Sequence, residues 1–440
     1  MLSFLAFAMV ATFMTLIMTK RLSAIVALIL VPLIFALIAG ALAGVDLGDL
    51  GGMMMQGVAD LAPTGVMLVF GILFFGLMID VGLFDPLIAA IVRLVHGDPL
   101  RILVGTAVLA LTVSLDGDGT TTYMITTAAM LPLYRRMKLD MRMLACIVIM
   151  AGAVMNVLPW GGPTARVMSS LKLEAHDVFV PLIPAMIVTA LWVILVAWYF
   201  GLRERARLGR LAAERIGAPP PGDDPEIKGA VDPGKRKYFW VNLAITVALM
   251  AALLTALLPL AVLFMLAYAV AATINYPSIQ AQRKQLAAHA GNALSVAGLV
   301  FAAGIFMGIL SGTKMVDAMS ATVIAAIPPA WGPYMAPITA VISAPFTFFI
   351  SNDAFYFGVL PILAETGAAY GLSPAEIGRA SLVGQQVHLL SPLVASTYLL
   401  VGFVGIEFGE HQRFTLKWAL GSFLIFFVAS LLFGIFPFAA

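Results

Sequence analysis

The stretch Ser114-Leu115-Asp116-Gly117-Asp118-Gly119-Thr120-Thr121-Thr122 is polar, and apolar runs at 103–113 and 123–133 enclose it on both sides. A helix that crosses a bilayer needs about 20 mostly apolar residues. Neither flank is long enough to cross alone, so the segment reads as a re-entrant hairpin over residues 103–133 with the polar motif at its tip. Gly117 and Gly119 permit a tight turn, Asp116 and Asp118 supply hard oxygen ligands, and the threonines supply hydroxyls. Ionisable groups held at membrane depth are costly and mark functional sites by default.

The rest of the chain supplies the membrane context. Of its 440 residues, 62% are hydrophobic and 11% charged, against roughly a quarter charged in soluble domains. Apolar stretches recur at 2–19, 24–42, 66–79, 143–158, 178–200, 238–257, 258–273, 293–310, 381–403 and 415–436, which predicts an all-α, polytopic membrane protein of roughly ten spans. The first stretch has no basic residue ahead of it and no small-residue cleavage pattern, so it reads as a retained helix. Cys146 is the single cysteine, which excludes an intrachain disulfide. No phosphate-binding P-loop is found, so ATP hydrolysis within this chain is not expected, nor is a nucleic-acid partner.

Residues 202–237 are polar and rich in Arg and Lys, which predicts a cytoplasmic linker by the positive-inside rule. It divides the chain into 1–201 and 238–440, and landmarks recur across it: Gly76 and Gly308, Asp85 and Asp317, and Gly152 and Gly384 are each 232 positions apart. The basic residues do not recur. Arg135, Arg136, Lys138 and Arg142, moved on by 232, fall on residues 367–374, which hold no Lys or Arg. Arg283 and Lys284, moved back, fall in the acidic loop 45–60, which also holds none. Swapped charge bias implies swapped orientation, so the halves read as two inverted-topology repeats with re-entrant hairpins and broken helices, a construction of secondary transporters.

Four interruptions form two matched pairs. The hairpin tip at 114–122 has a counterpart in Ser351-Asn352-Asp353, at the tip of a second hairpin around 340–363; Ser114 and Ser351, like Asp116 and Asp353, are 237 apart. The third is Asn156-Val157-Leu158-Pro159-Trp160-Gly161-Gly162-Pro163-Thr164-Ala165-Arg166, where two prolines and two glycines must break the preceding helix. The fourth is His388-Leu389-Leu390-Ser391-Pro392, followed by Ser396 and Thr397. An intramembrane hydrolase built on Asp116, Asp118 and Asp353 is a rival reading, but internal inversion serves alternating access and not hydrolysis.

Several strings resemble the citrate-metal-proton symporter family (CitMHS) across essentially the whole chain: Leu16-Ile-Met-Thr-Lys-Arg-Leu-Ser23, Ala62-Pro-Thr-Gly-Val-Met67, Val113 to Tyr123, Leu158-Pro-Trp-Gly-Gly-Pro-Thr164 and Val387-His-Leu-Leu-Ser-Pro392. The resemblance implies a transporter and not an enzyme, with no tightly bound cofactor. Such a protein takes up citrate complexed with a divalent cation such as Mg²⁺ or Ca²⁺, driven by protons. It further implies an elevator-type homodimer in a bacterial inner membrane. On that reading Asp116, Asp118 and Asp353 approach the metal or carry the coupling proton, and His388 is a second proton carrier. Ser114, Ser351 and Asn352 are neutral donors; Thr120, Thr121, Thr122, Thr164, Arg166 and the amides of Gly161 and Gly162 hold the carboxylates, with Asn156, Ser391 and Ser396 beside them. The alternative cargo is another di- or tricarboxylate or organic anion, coupled to protons or Na⁺ and carried without metal.

Overall fold

Where the sequence changes character, a helix ends or restarts. The computed structural model describes every residue except 20, 84, 87, 88, 91–97, 118, 214–237, 256, 257, 327, 350, 351, 392 and 393, and the described residues form helices and turns with no strand. The first half runs α1 (Leu2–Met18), α2 (Ala24–Ala43), α3 (Leu50–Asp80), α4 (Pro99–Val113), α5 (Gly119–Arg136), α6 (Met141–Met155), α7 (Gly162–Leu171) and α8 (Ile183–Ala213). The second runs α9 (Phe239–Thr255), α10 (Leu260–Asn275), α11 (Ile279–Gly312), α12 (Met315–Ala326), α13 (Met335–Phe349), α14 (Leu360–Ala368), α15 (Pro374–Ser381), α16 (Gln385–His388), α17 (Ala395–Val404) and α18 (Phe408–Leu432). A π-helical turn, Ala354–Val359, leads into α14. Helix ends keep the spacing seen in the sequence: α3 ends at Asp80 and α11 at Gly312, 232 positions on, while α7 starts at Gly162 and α17 at Ala395, 233 on.

Three expectations change. The acidic loop at 45–60 is mostly helix: α3 starts at Leu50 because the Asp49 carboxylate caps it, accepting from the Gly52 N–H at 3.1 Å. Gly51, Gly52, Gln56 and Asp60 had masked this by lowering the local hydropathy. The linker expected from 202 begins instead as the last turns of α8, which continues to Ala213 through the good helix formers Arg, Ala and Leu; residues 214–237 lie outside the described residues. Not every one of the ten apolar stretches is met by a single long helix. Among the described residues five helices are long and apolar enough to cross a membrane: Ala24–Ala43, Leu50–Asp80, Ala175–Leu208, Ala293–Gly312 and Phe408–Leu432. The others are shorter, and the stretch 381–403 is divided between a 3-10 turn, α16 and α17 because hydropathy does not register broken backbone.

Burial sorts the helices into layers. α6 is buried at every residue from Met143 to Val154, as expected of a helix that is apolar all round and central to its bundle. Outer helices instead expose apolar stripes at helical spacing: Val26, Leu30, Ile34 and Leu37 on α2, Ile187, Leu191 and Leu195 on α8, and Leu416, Leu420, Leu424 and Val428 on α18. In water such stripes would be a liability; in a multi-pass membrane protein they face lipid. Charged pairs lie at the helix ends. Arg205 of α8 binds Asp98, the N-cap of α4, at 2.5 Å, and Arg142 grips Asp140, the N-cap of α6, at 2.7 Å while reaching Glu410 at 3.4 Å.

The long helices α3 and α11 run antiparallel, and at one end their backbones touch. A Cβ on Gly57 would lie 2.0 Å from the Gly304 carbonyl oxygen, and one on Gly308 would lie 2.2 Å from that of Met53. Small residues are what let membrane helices approach so closely. Gly57→Ala should therefore destabilise the protein by about 1–3 kcal/mol through overpacking. Gly291→Ala, elsewhere on α11 with nothing within 4 Å of the new methyl, should be neutral or stabilising by up to about 1 kcal/mol. Thermal unfolding of the purified protein in detergent checks both, and equal midpoints for the two variants would contradict this packing.

Candidate functional site

Each break is held by side chains bonding the backbone that the missing helical turns leave open. After α4 a 3-10 turn, Ser114–Asp116, leads to Gly117 in the left-handed region, φ +77°. A Cβ there would strike the Trp160 indole at 2.7 Å, and Trp160 donates its Nε1–H to the Leu115 carbonyl at 2.9 Å. The first and third breaks are thereby locked together. Within the third, the Thr164 hydroxyl donates to the Val157 carbonyl at 2.7 Å. At the equivalent place in the fourth, the Thr397 hydroxyl donates to Leu389 at 2.5 Å. Two more bonds tie the fourth break to α13: His388 Nδ1 lies 2.6 Å from the Thr347 carbonyl, and the Ser391 hydroxyl donates to Phe348 at 2.6 Å.

All four breaks contribute to one cavity of about 410 Å³, within the range of small-molecule sites. The first hairpin lends Ser114, Gly117, Gly119 and Thr122; the third break lends Asn156, Gly162, Pro163 and Arg166. Asn352 comes from the second tip, and His388, Leu389 and Ser396 from the fourth break. Three of these positions open helices, Gly119 of α5, Gly162 of α7 and Ser396 of α17, so three positive dipole ends meet at the cavity. Ser114, Asn156 and His388 stand at helix C-terminal ends, where carbonyl oxygens favour cations. The cavity thus offers anion-preferring and cation-preferring walls at once. The Ser114 hydroxyl is buried with no hydrogen-bond partner among the described residues, a cost that a polar solute would remove.

Two polar clusters join the halves across this cavity. Arg166 Nε donates to Asp353 Oδ1 at 2.6 Å, and its Nη1 donates to the Gly162 carbonyl at 2.9 Å. Gln385, fully buried, is the centre of the other cluster: its Nε2 donates to Asn352 Oδ1 at 3.1 Å and to the Tyr356 hydroxyl at 2.8 Å. Its Oε1 accepts more distantly from Asn156, at 3.5 Å.

Of the residues expected from sequence, Ser114, Thr122, Asn156, Gly162, Arg166, Asn352, His388 and Ser396 line the cavity. Asp353 reaches it through its pair with Arg166. Thr164 and Ser391 are engaged with backbone, and Gly161 is the N-cap of α7, where a Cβ would lie 2.3 Å from the Asn156 carbonyl. Asp118 and Ser351 lie outside the described residues, as do the side chains of Asp116, Thr120 and Thr121. Among the described residues no group of three or more His, Cys, Asp or Glu comes together. Gln385, Tyr356, Gly117 and Gly119 were not anticipated as site residues. The adjacent amides Gln385 and Gln386 inside an apolar stretch were the available signal for the first of these.

Comparison with known proteins places this geometry. Residues 6–384 match the CitMHS family, described as citrate transporter. A citrate transporter of Bacillus subtilis (strain 168) is 61% identical over 438 residues, covering 100% of both chains. The Mg(2+)/citrate complex secondary transporter of the same organism is 47% identical over 436 residues, 99% of each chain. Among solved structures, the YdaH transporter of Alcanivorax borkumensis superposes with a TM-score of 0.56 at 14% identity, covering 90% of each chain. MtrF of Neisseria gonorrhoeae gives 0.61 at 14% identity, covering 87% of this chain and 83% of that one. These two show a shared transporter fold.

The Arg166–Asp353 pair is testable without any solute. Removing one partner of a fully buried pair costs about 3–5 kcal/mol; these side chains are 21% and 16% exposed, so the loss should be smaller. Arg166→Gln and Asp353→Asn should each lower the thermal midpoint, and the double variant should recover most of the loss. Strictly additive losses would show that the two side chains are not coupled.

Proposed function

Because the chain belongs to the citrate transporter family, we propose that it is a secondary transporter that moves citrate as its complex with a divalent cation, in symport with protons. The observation that carries this reading is the single cavity where three helix N-termini and three helix C-terminal ends meet. A bare citrate trianion would want only the first kind of wall, and a bare cation only the second. Their complex, with two of the three negative charges neutralised, wants both and is far less costly to desolvate. The relative at 47% identity bears the name of such a complex.

In this reading the ion pair is where a proton is coupled to the solute. While Asp353 is ionised it holds Arg166; once protonated it releases the guanidinium, which then takes a carboxylate of the solute in a bidentate contact. His388 is the second carrier. The Thr347 carbonyl can only accept, so Nδ1 holds a proton and Nε2 is the position for another. In this scheme Asp116 and Asp118 are assigned to the cation, with Ser351 as a neutral donor, and Thr120, Thr121 and Thr122 to the carboxylates.

The same proposal assigns the halves 1–201 and 238–440 to inverted repeats, with the segment 214–237 and the basic helix ends at Arg101, Arg142, Arg205 and Arg283 on the cytoplasmic face of a bacterial inner membrane. A homodimeric elevator, one part fixed and one carrying the cavity across, is the matching mechanism. A second reading, citrate or another carboxylate carried without metal, is favoured by the name of the 61% identical relative, which mentions no metal.

Uptake of radiolabelled citrate into proteoliposomes separates the two. Chelating Mg²⁺ and Ca²⁺ should lower uptake by about tenfold or more, and a protonophore should abolish accumulation; uptake indifferent to metal would leave the second reading standing. Asp116→Asn and Asp353→Asn should each abolish uptake while the protein still inserts in the membrane.

A further inference from the structure

A second cavity, of about 400 Å³, adjoins the first and shares Gly117, Gly162 and Arg166 with it. Its long walls are residues 68–79 of α3 and 289–300 of α11, each a run of eleven residue steps. At about 1.5 Å per residue such a wall is about 16 Å long, half of a hydrocarbon core of about 30 Å. The cavity therefore has the depth of one leaflet. It starts at Arg166 and ends at His289, which bonds Asp80 at 2.8 Å; their side chains are 21% and 38% exposed. Arg283 and Lys284 lie one to two turns before His289, which puts this mouth on the basic face.

The repeat spacing compares the two ends of this helix pair. Gly76 and Gly308 are 232 positions apart, and so are Gly57 and His289. At one crossing Gly308 meets Gly57 and the backbones touch. At the other Gly76 meets His289, whose Nδ1 lies 2.5 Å from where a Cβ on Gly76 would stand. An imidazole thus occupies the place that a glycine hydrogen occupies at the opposite end, and Asp80 holds the ring by its Nε2.

We infer that this cavity is a vestibule through which the anionic solute–cation complex passes between the central site and the basic face, with His289, held by Asp80, as the wedge that keeps α3 and α11 apart. The inference rests on the transport reading above. The wall shared with the central cavity at Gly117, Gly162 and Arg166 points to the occupant. A largely apolar wall with one cation at its inner end binds such a complex weakly, as a passage requires if the solute is to leave.

Val296→Cys and Leu299→Cys place a thiol inside the vestibule, and the native Cys146 is buried and serves as a silent internal control. Inside-out and right-side-out vesicles are treated with a membrane-impermeant anionic methanethiosulfonate reagent, and labelling is read as a mass shift. Labelling should be about tenfold faster from the basic face and should block uptake by the labelled variant. His289→Gly, added to either variant, should slow labelling by about tenfold, whereas His289→Phe, which keeps a ring, should not. Labelling from the opposite face, or from neither, would overturn the vestibule; equal labelling with Gly and Phe at 289 would overturn the wedge. Because labelling needs no citrate, either failure is distinct from a failure of citrate uptake in the unsubstituted protein.

Discussion

At membrane depth no water is available to satisfy peptide groups, so a broken helix survives only if the protein itself bonds the backbone it opens. That constraint organises this molecule. Trp160, Thr164, Ser391 and Thr397 each donate to a carbonyl at or beside a break, and His388 Nδ1 does the same toward Thr347. Because Trp160 reaches the first hairpin from the third break, and Ser391 reaches α13 from the fourth, the repairs also bind each hairpin to its neighbouring broken helix. The cavity is what remains between these stitched ends.

Its electrostatics are a consequence of the same breaks. Interrupting a helix exposes a positive dipole end and a negative one a few residues apart, and bringing several interruptions together collects both kinds at one place. Few formal charges are then needed. Arg166 and Asp353 neutralise each other across the halves, and Gln385 links Asn156, Asn352 and Tyr356 through amides and a hydroxyl. A site made mainly of dipoles, with one ion pair, suits the proposed cargo, itself a partly neutralised pair of ions.

The two ends of the α3–α11 contact are built differently. Gly57 and His289, 232 positions apart in the sequence, have opposite consequences, backbone contact at one end and an interposed ring at the other. The proposed passage to one face of the membrane depends on that interposed ring.

Much of this was legible in the sequence. Long apolar runs establish a helical membrane protein because no soluble core could bury them, and Gly, Pro and Asp within those runs locate the four breaks because each residue type acts on its own backbone. Ser114, Asn156, Arg166, Asn352 and His388 could be picked out for the same reason, as polar groups too costly at that depth to be incidental. What the sequence misjudged were helix extents, at α3, at α8 and over 381–403, since hydropathy averages over a window while capping and breaking act at single residues. Only the tertiary structure decided that Arg166 meets Asp353, that Gln385 lies at the centre of a cluster, and that the His289 ring packs on Gly76. Those facts belong to contacts between residues 29 to 229 positions apart, and a pattern read along one chain carries no distance between them.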